Sequence, residues 1–520
     1  MEALKLTEFD ESIKKSLKKS DTIDKVDKTL TEELFIGICS PIGSIKEAAL
    51  ESIENIIKIN YGYTVERIKL SDFIEDSEET LLEEQVGKTK VYNQYYHKIE
   101  RGNSIREKFN NSHLAEKTIQ KIHLERLAEV KDKGAKTPTA EDFTSRRKCY
   151  IIDSIKSKEE LDLFRKVYTE NFYQISIFSP IDDRKANLLE KGFKKDEIEN
   201  IIEIDDKQNF KHGQNVRGTF VDGDFFMRIS ESNKAATDIK VKRFFDLIFE
   251  SAIITPTVEE QSMYYAKSAA GNSACLSRQV GACIVDENSN ILSTGWNDVP
   301  KYGGNLYTSN TTIDNRCFNK GFCSNDTQKD KLVDNIVDSL ITDVELKDIF
   351  QKDGVTIQED LISKIKFNLR NSKVKDLIEF SRSVHAEMHA IIQGSQITGT
   401  RMINGKLFCT TYPCHNCARH IIAAGIKEVY YIEPYVKSLC LTLHSDAMTE
   451  NENISDRVKI LMFDGVAPRN YLLFFTNFAE RKDNGKLIKK NLKNIKPKKA
   501  KSLQALSTLE QQAVHTLRSK

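Results

Sequence analysis

Four residues in the second half of the chain, His385, Glu387, Cys414 and Cys417, have the types and the spacing of a hydrolytic zinc centre. One imidazole and two thiolates can hold Zn²⁺ while a fourth position stays open for water, as a catalytic site requires. Glu387 follows His385 by two residues, so it can lie close to the metal without being a ligand. The pattern predicts a zinc cofactor held by the histidine and the two cysteines, with Glu387 as the group that moves protons.

Both halves of this motif have the features of helix starts, which would place each ligand near a positive helix end. Ser381 or Ser383 can cap the helix that contains His385, and Pro413 fits the first turn of the helix that contains the cysteines. The helix dipole favours thiolate over thiol there. The alternative is a helix histidine beside a redox or structural cysteine pair. It is disfavoured because all four residue types occur with an apolar strand, 406–412, and two helices in the expected order.

Length and composition predict an intracellular globular enzyme with no general attraction to nucleic acid or membrane. The 520 residues allow about three domains, and charged residues make up 30% of them with a net charge of only +1. No apolar run reaches the roughly 18 residues of a membrane span, and the N-terminus lacks the apolar core of a signal peptide. We therefore expect a cytoplasmic protein whose ten cysteines are buried thiols or metal ligands.

The first half of the chain has the pattern of a parallel-sheet α/β domain over 33–250, preceded by a polar arm over 1–32. Its first apolar strand runs into a tight turn and then into a helix, which is the usual opening of a nucleotide-binding α/β unit. Four apolar strands are predicted, at 34–40, 65–70, 148–153 and 172–178.

The first turn of this domain is a broken phosphate loop. The pattern G-x-x-x-x-G-K-[ST] uses backbone amides to cradle phosphate and a lysine to neutralise it. When Gly43 is aligned with the second glycine, Ser44 takes the lysine position and Ile45 the hydroxyl position. Amides at a helix N-terminus could still bind an anion, so nucleotide binding stays open, whereas ATP hydrolysis is not expected. The candidate contacts are Pro41, Ile42, Gly43, Ser44 and Asp153, the last of which could equally be a helix cap.

A second domain is predicted over 255–478, and a strongly basic tail over 480–520. The second domain begins with a helical pattern and a hairpin of two apolar strands, 278–286 and 290–297. Two strand and helix units around the zinc motif then complete an α/β sandwich.

Several segments together resemble the deoxycytidylate deaminase family over about residues 257–475. His385-x-Glu387 followed by Pro-Cys-x-x-Cys is the signature of zinc deaminases. Joined to a degenerate P-loop kinase-like domain, the chain resembles the two-domain anti-phage dCTP/dCMP deaminases. The fold class implied is α/β, with an N-terminal P-loop kinase-like parallel sheet and a C-terminal cytidine-deaminase-like α/β/α sandwich. The matching segments are 273–282, 295–300, 385–387, 410–418 and 424–431.

The resemblance implies hydrolytic deamination of dCTP or dCMP to the deoxyuridine nucleotide, which would drain dCTP from an infected cell. Zinc would activate water for attack at C4 of cytosine, and Glu387 would carry the proton to the ring nitrogen and to the departing ammonia. Asn297, which follows Trp296, would hydrogen-bond the sugar hydroxyl. Arg278 is a candidate for the phosphate, with a surface arginine as the alternative.

Other residues of this region have two interpretations each. Lys301, beside Gly303 and Gly304, could receive further phosphates or lie in a flexible turn, and Tyr435 could contact substrate or lie in the core. His389 is expected to pack or to hydrogen-bond rather than to bind metal. The remaining pair, Cys317 and Cys323, could hold a second zinc or be free thiols.

The basic tail is expected to be solvated, or to bind a small regulatory RNA as related defence enzymes do. Oligomers are common among these enzymes, so a homo-oligomer is expected. Three alternatives stay in view. They are an RNA- or tRNA-directed deaminase, a housekeeping dCMP deaminase with a regulatory nucleotide-binding domain, and a nucleotide sensor regulated by its deaminase domain.

Overall fold

The computed structural model describes residues 29–75, 84–132, 142–207, 215–343, 345–346, 349–352, 356–434, 438–476, 480–498 and 500–518. The chain divides into two compact units: unit 1 comprises Met1–Thr255 with Leu473–Lys520, and unit 2 comprises Pro256–Leu472. Unit 2 is therefore one continuous segment between two parts of unit 1. Among the described residues, no helix combines the length and apolar character needed to cross a membrane.

The N-terminal part of unit 1 alternates strands with helices. Its strands are β1 (Leu34–Cys39), β2 (Thr64–Lys69), β3 (Lys148–Asp153), β4 (Phe172–Phe178) and β5 (Phe225–Arg228). Its helices are α1 (Glu47–Ile59), α2 (Asp72–Glu75), α3 (Lys90–Lys108), α4 (His113–Asp132), α5 (Lys158–Tyr168), α6 (Ile181–Glu190), α7 (Lys195–Lys207), α8 (Val216–Phe220) and α9 (Thr237–Phe249). Two short 3-10 helices lie at Thr169–Asn171 and Lys234–Ala236.

The five strands of unit 1 form a parallel sheet in the order β5-β4-β1-β3-β2. Strand β1 lies at the centre, and all its residues are buried, as expected of a parallel sheet covered on both faces. Strands β3 and β2 lie on one side of β1, and strands β4 and β5 lie on the other. The direction in which strands are added to the sheet therefore reverses between β3 and β4. A reversal of this kind leaves a crevice at the carboxyl ends of the central strands, where open α/β sheets bind ligands. The predicted strands of this unit are confirmed within one residue at each end.

Unit 2 contains the zinc motif and an insertion of short elements. Its strands are β6 (Gly281–Val285), β7 (Ile291–Trp296), β8 (Gln351–Lys352), β9 (Thr356–Ile357), β10 (Lys406–Thr411), β11 (Glu428–Glu433), β12 (Met448–Thr449), β13 (Val458–Met462) and β14 (Gly465–Val466). Its helices are α10 (Val258–Ala270), α11 (Cys317–Lys320), α12 (Ser324–Thr342), α13 (Glu359–Asn371), α14 (Ala386–Thr398), α15 (His415–Ala423), α16 (Cys440–His444) and, where the unit ends, α17 (Tyr471–Phe475). Its 3-10 helices lie at Lys373–Asp376, Gly399–Met402 and Pro468–Asn470.

The sheet of unit 2 has the order β12-β13-β11-β10-β6-β7, with four parallel strands followed by the antiparallel pair β6 and β7. Helices cover both faces, and two glycines permit the closest approaches. A Cβ on Gly281 would lie 1.9 Å from the Ala266 carbonyl oxygen of α10, and a Cβ on Gly295 would lie 2.3 Å from the Ala386 carbonyl oxygen of α14. Both units are thus mixed α/β with mainly parallel sheets.

The C-terminal segment differs from the solvated tail that its charge predicted. It forms the short strands β15 (Lys482–Asp483) and β16 (Lys486–Leu487) and the helix α18 (Leu503–Arg518). Leu506 is fully buried in the main hydrophobic core of unit 1, beside residues of β1 and β3. Some of the basic charge is also used within the unit, because Lys498 pairs with Glu250 at 2.7 Å. Apolar residues at helical spacing outweigh the surrounding lysines here.

Candidate active site

His385, Cys414 and Cys417 come together at the start of two helices. His385 occupies the N-cap position of α14, and Cys414 occupies that of α15, where its sulfur accepts a hydrogen bond from the Cys417 amide. The His385 Nδ1 atom lies 3.3 Å from each of the two sulfurs. The predicted placement of the ligands at helix N-termini is confirmed, although the helices begin later than expected. His385 itself is the N-cap in place of Ser381 or Ser383, and Pro413 precedes the cap of its helix.

The pKa values of His385, Cys414 and Cys417 show that the three side chains share protons that a cation could replace. The hydrogen bond from Cys417 is the main cause that lowers the pKa of Cys414 to about 4, against the effect of burial. Burial disfavours the protonated imidazole, but the Cys414 thiolate outweighs it and raises the pKa of His385 to about 9. Burial holds the pKa of Cys417 well above its usual range. A metal ion would displace the protons that these groups share.

The donor set fits zinc. One nitrogen and two sulfurs, all within 4.8 Å of one another, form the one group of three or more potential ligands in the described part of the chain. Tetrahedral zinc with bonds of about 2.0–2.3 Å holds its ligands about 3.5 Å apart, close to the separations observed. Cys317 and Cys323 join no such group of described residues.

Glu387 lies in the first turn of α14 with its side chain buried, 4% exposed, and lines the same cavity as His385 and Cys414. Burial is the main cause that raises the pKa of its carboxyl group, and the neighbouring Cys414 thiolate raises it further. A buried carboxylate with a raised pKa can accept a proton and return it. This position supports the role predicted for Glu387.

The cavity above these residues has a volume of about 280 Å³. Asn297 lines it, with its side-chain oxygen accepting from the Val280 amide at 2.7 Å and its nitrogen donating to the Arg278 carbonyl at 2.9 Å. Asn297 therefore also fixes the segment that carries Arg278. Trp296 is not among the lining residues of this cavity. Its backbone amide donates to His389 Nδ1 at 3.2 Å, and its ring meets the His389 ring edge to face.

Arg278 lies on the cavity wall and pairs with Glu433, with 2.9 Å between Nη1 and the carboxylate. Both side chains are partly exposed, at 49% and 39%. The arginine is therefore not an isolated surface residue, and a ligand phosphate would compete with this carboxylate for it.

The other residues singled out in the sequence have separate outcomes. Lys301 belongs to a turn in which its amide donates to the Asn305 carbonyl at 3.1 Å, and it does not line the cavity. His389 is buried between Trp296 and Asn305, whose side-chain oxygen is 2.9 Å from Nε2, so the hydrogen-bonded interpretation is confirmed. Tyr435 lies outside the described residues.

The structure adds residues that sequence reasoning missed. Tyr412 lines the cavity directly before the cysteine motif, and Asn325 and Lys329 reach it from helix α12 of the insertion. Lys329 is 5% exposed and donates to the Lys375 carbonyl at 2.9 Å. Tyr412 could have been found from its position next to Pro413. No local pattern marked the α12 residues, because the insertion returns to the site only through tertiary packing.

The predicted nucleotide contacts of unit 1 meet at the carboxyl ends of β1 and β3. Residues 41–44 border a cavity of about 580 Å³. Asp153 is fully buried and pairs with Lys46 at 2.7 Å, and Lys46 also donates to Ser154. Lys46 was missed because the motif alignment placed Ser44 at the lysine position, whereas the lysine follows two residues later.

Comparison with known proteins identifies the domain type of unit 2. Residues 256–433 match the sequence profile of the family described as cytidine and deoxycytidylate deaminase zinc-binding region. The deoxycytidylate deaminase of Saccharomyces cerevisiae is 24% identical over 329 residues, which are 59% of this chain and 85% of that protein. The deoxycytidylate deaminase of Enterobacteria phage T2 is 26% identical over 166 residues, 32% of this chain and 74% of that protein.

Two further matches are shorter or more distant. ComE operon protein 2 of Bacillus subtilis is 47% identical over 55 residues, and the chain spans only 29% of its length. A solved structure of dCMP deaminase from the cyanophage S-TIM5, in complex with dCMP and dUMP, is 19% identical with a TM-score of 0.22, and the match covers 40% of this chain and 98% of that one. Residues 256–433 are thus similar to the zinc-binding region of cytidine and deoxycytidylate deaminases.

Proposed function

We propose that this chain is a zinc-dependent hydrolase that deaminates free deoxycytidine nucleotides, dCMP, dCTP or both, to the deoxyuridine nucleotides. The observation that carries the proposal is the buried Glu387 on the wall of the cavity, beside the three candidate ligands His385, Cys414 and Cys417. Two relatives of substantial coverage are named deoxycytidylate deaminases, which supports a deoxycytidine nucleotide as the substrate.

The residues of the cavity have complementary tasks in this reaction. Bound zinc would supply the Lewis acidity that makes water nucleophilic at neutral pH. Glu387 would take a proton from the attacking water as the C4–O bond forms. It would pass that proton to the ring nitrogen and then assist the departure of ammonia as the C4–N bond breaks. Its burial favours the protonated form between these transfers.

Substrate binding is proposed for Asn297 and Arg278. The Asn297 amide anchors the backbone of the Arg278 segment, and its carbonyl oxygen and amino group retain capacity for a sugar hydroxyl. Arg278 would take the phosphate in exchange for Glu433. Lys329, buried on the same cavity, adds a positive charge from the insertion.

The test is product analysis after incubation of the zinc-loaded protein with dCMP, dCTP, CMP, CTP and a tRNA. We expect deoxyuridine nucleotides and ammonia in equal amounts, and loss of at least about a hundredfold in rate for Glu387→Gln. Inosine formed in tRNA without turnover of any free nucleotide would instead establish the RNA-directed alternative. A protein with full zinc occupancy that leaves all five substrates unchanged would reject the proposal.

We propose further that dCTP is consumed during phage infection, which the predicted two-domain organisation supports. The expected result is a fall of the cellular dCTP pool on infection in cells with the wild-type protein and none in cells with Glu387→Gln. A regulatory RNA and a homo-oligomer remain predictions. Copurified RNA and the mass of the protein in solution, respectively, would test them.

For unit 1 we propose nucleotide binding at the crevice above β1 and β3. The position at the carboxyl ends of the central strands supports this proposal. Hydrolysis of the nucleotide is not part of the proposal, because the aspartate that would serve a metal is paired with Lys46.

A further inference from the structure

The loop of residues 41–46 in unit 1 has already used most of its phosphate-binding groups. Four of its amides donate to acceptors of the protein itself, and its lysine pairs with Asp153. The carboxylates of Asp205 and Asp153 therefore take the bonds that a phosphate would need at this loop. The amide bonds run from Ile42 to Asp205 Oδ2 at 2.7 Å, from Ser44 to the Pro41 carbonyl at 3.2 Å, from Ile45 to Ser179 Oγ at 3.0 Å, and from Lys46 to the Ser44 carbonyl at 2.9 Å.

The cavity beside this loop is nevertheless strongly positive. Seven cationic side chains line its 580 Å³ or so, against two acidic ones, Glu47 and Asp205. Glu47 pairs with Arg67 at 3.0 Å, and Asp205 pairs with Lys156 at 2.8 Å. Both lining acids are thus already neutralised. Among the described residues, the cavity thus presents more positive than negative charge to an anion that enters it.

Four of the lining cations come from other elements than the loop and keep donors that no described carboxylate takes. Lys69 ends β2, Arg101 belongs to α3, and Lys191 follows α6; none of the three forms an ion pair with a residue that the structure describes. Arg106 of α3 is 2% exposed and uses Nε and Nη2 for Glu160, while its buried Nη1 has no hydrogen-bond partner among the described residues. We call these four residues the cation set.

A buried guanidinium nitrogen with no partner points to a missing acceptor. An unmatched buried donor is costly, and Arg106 is fixed in place by Glu160. Its Nη1 lies beside Gly102 of the same helix, where a Cβ would be 3.4 Å from it. A phosphate oxygen in the cavity would supply the acceptor.

The rest of the lining suits the body of a nucleotide. Ile74, Ile99 and Leu114 form apolar walls, and Tyr95 and His97 offer rings against which a base could stack. The volume lies within the range of small-molecule sites, roughly 300–1,000 Å³.

We propose that unit 1 binds a nucleotide whose phosphate groups are held by Lys69, Arg101, Arg106 and Lys191, and not by the amides of the loop. The proposal rests on nucleotide binding by unit 1 and is independent of deamination by unit 2. The loop then acts as a wall whose groups are bonded to Asp205 and Asp153, and the cation set selects the ligand by its phosphate charge.

The test measures binding of ATP, GTP and dTTP, with their monophosphates and nucleosides, to the zinc-loaded full-length protein by equilibrium dialysis. These probes lack cytosine, so unit 2 does not consume them. The main variant is Lys69→Ala with Lys191→Ala, and Arg101→Gln is the second. Lys234→Ala removes an exposed lysine of the same unit that does not line the cavity and serves as the control.

We expect the tightest nucleotide to bind at least about tenfold more weakly to the double variant and to Arg101→Gln, with no change for Lys234→Ala. The loss should grow with the number of phosphates and vanish for the nucleoside, which a purely structural defect would not produce. Arg278→Ala in unit 2 should leave this binding unchanged and so locates the site.

Three outcomes would overturn the inference. Unchanged nucleotide affinity in the cation-set variants would mean that the loop, and not the cation set, binds the phosphate. Equal losses of affinity for the nucleotide and the nucleoside would mean that the cations have only a structural role. Absence of binding for every probe would remove nucleotide binding by unit 1 altogether, while the deamination test of unit 2 would stand unaffected.

Discussion

Arg278 meets a carboxylate, Glu433, at the cavity where a substrate phosphate would lie. We expect Arg278→Ala to raise KM for dCMP by about tenfold, since a half-exposed charged hydrogen bond is lost, and to change kcat little. Steady-state kinetics with dCMP and with deoxycytidine would measure this. An equal change for the nucleoside would show that Arg278 does not contact phosphate.

Glu433→Gln should have the opposite effect to Arg278→Ala on the KM for dCMP. It removes the competing charge while keeping the side-chain length, so Arg278 becomes more available to phosphate. KM for dCMP should fall by a few-fold, and KM for deoxycytidine should stay constant. A rise in KM for dCMP would mean that the ion pair orients the arginine rather than occupying it.

Two of the ten cysteines, Cys414 and Cys417, belong to the candidate metal group. We expect one zinc per chain, lost in Cys417→Ser and retained in Cys323→Ser, because the described residues contain a single ligand group. Metal analysis after gel filtration would measure it. A second zinc that disappears with Cys323→Ser would instead assign Cys317 and Cys323 to a structural site.

At the residue scale, the ligands and Glu387 could be predicted because their motif is local and its chemistry fixes the residue types. Trp296 and Lys301 were expected at the substrate and are not among the residues that line the cavity. Lys329 was missed for the opposite reason: it stands far from the motif in sequence and reaches the cavity through the insertion. Sequence spacing does not encode such approaches.

Helix α14 is held against strand β7 by the absence of a side chain at Gly295. A methyl group there would lie 2.3 Å from the Ala386 carbonyl oxygen, next to His385 and Glu387. We expect Gly295→Ala to destabilise the protein by about 1–3 kcal/mol and to lower both zinc affinity and kcat, because the helix must move. Thermal unfolding and zinc titration would measure these effects.

Gly304→Ala offers the contrasting substitution. Gly304 has a positive φ of +99° but no atom near its missing Cβ. Its change should cost stability through backbone strain alone, about 1 kcal/mol, and leave zinc affinity intact. Equal effects of the two variants on zinc affinity would argue against close packing at Gly295 as the determinant.

Helix α18 is fastened to α4 by a buried ion-pair network. Glu510 accepts from Arg126 Nε at 3.1 Å, and Arg126 also pairs with Glu33 at 2.7 Å. Burial opposes the charge on Glu510, but Arg126 and His123 outweigh it and lower the pKa of Glu510 below its ordinary 4.5. The stability from this group is therefore present above about pH 4.5 and is lost as the pH falls through the lowered folded value.

We expect Glu510→Gln to destabilise unit 1 by roughly 1–3 kcal/mol at pH 7, with a difference from wild type that shrinks below about pH 4.5. Urea unfolding of both proteins between pH 7 and pH 3 would measure it. Glu54→Gln, on the exposed surface of α1, is the control and should change little. A difference that persists undiminished at pH 3 would contradict an ionic contribution.

At the scale of elements, most of the apolar strands of both units were predictable because buried strands are short, continuous apolar runs, although β5 and β13 were not predicted. Helix α18 was not predicted, since its surroundings are dominated by lysines, although Leu503, Leu506 and Val514 are buried at helical spacing. Net charge describes a segment as a whole, whereas one apolar face is enough to dock a helix.

For the whole molecule, the sequence indicates unit 2 far more clearly than unit 1. The family match lies entirely within Pro256–Leu472, where the chemistry proposed for the motif residues restricts their types. The strand order of unit 1, β5-β4-β1-β3-β2, depends on crossovers between distant segments, which no local pattern records. The cation set likewise becomes recognisable only when β2, α3 and the end of α6 meet around one cavity.

The return of the chain to unit 1 after residue 472 also sets an order of events during synthesis. Leu506 completes a core whose other members lie at least 300 or so residues earlier in the chain. A ribosome adding roughly 5–20 residues per second needs on the order of 10–40 s to make unit 2 in between. Throughout that interval the nascent β1–β5 sheet carries an uncovered apolar surface where α18 will dock, so it should be the stage at which chaperones engage the emerging polypeptide.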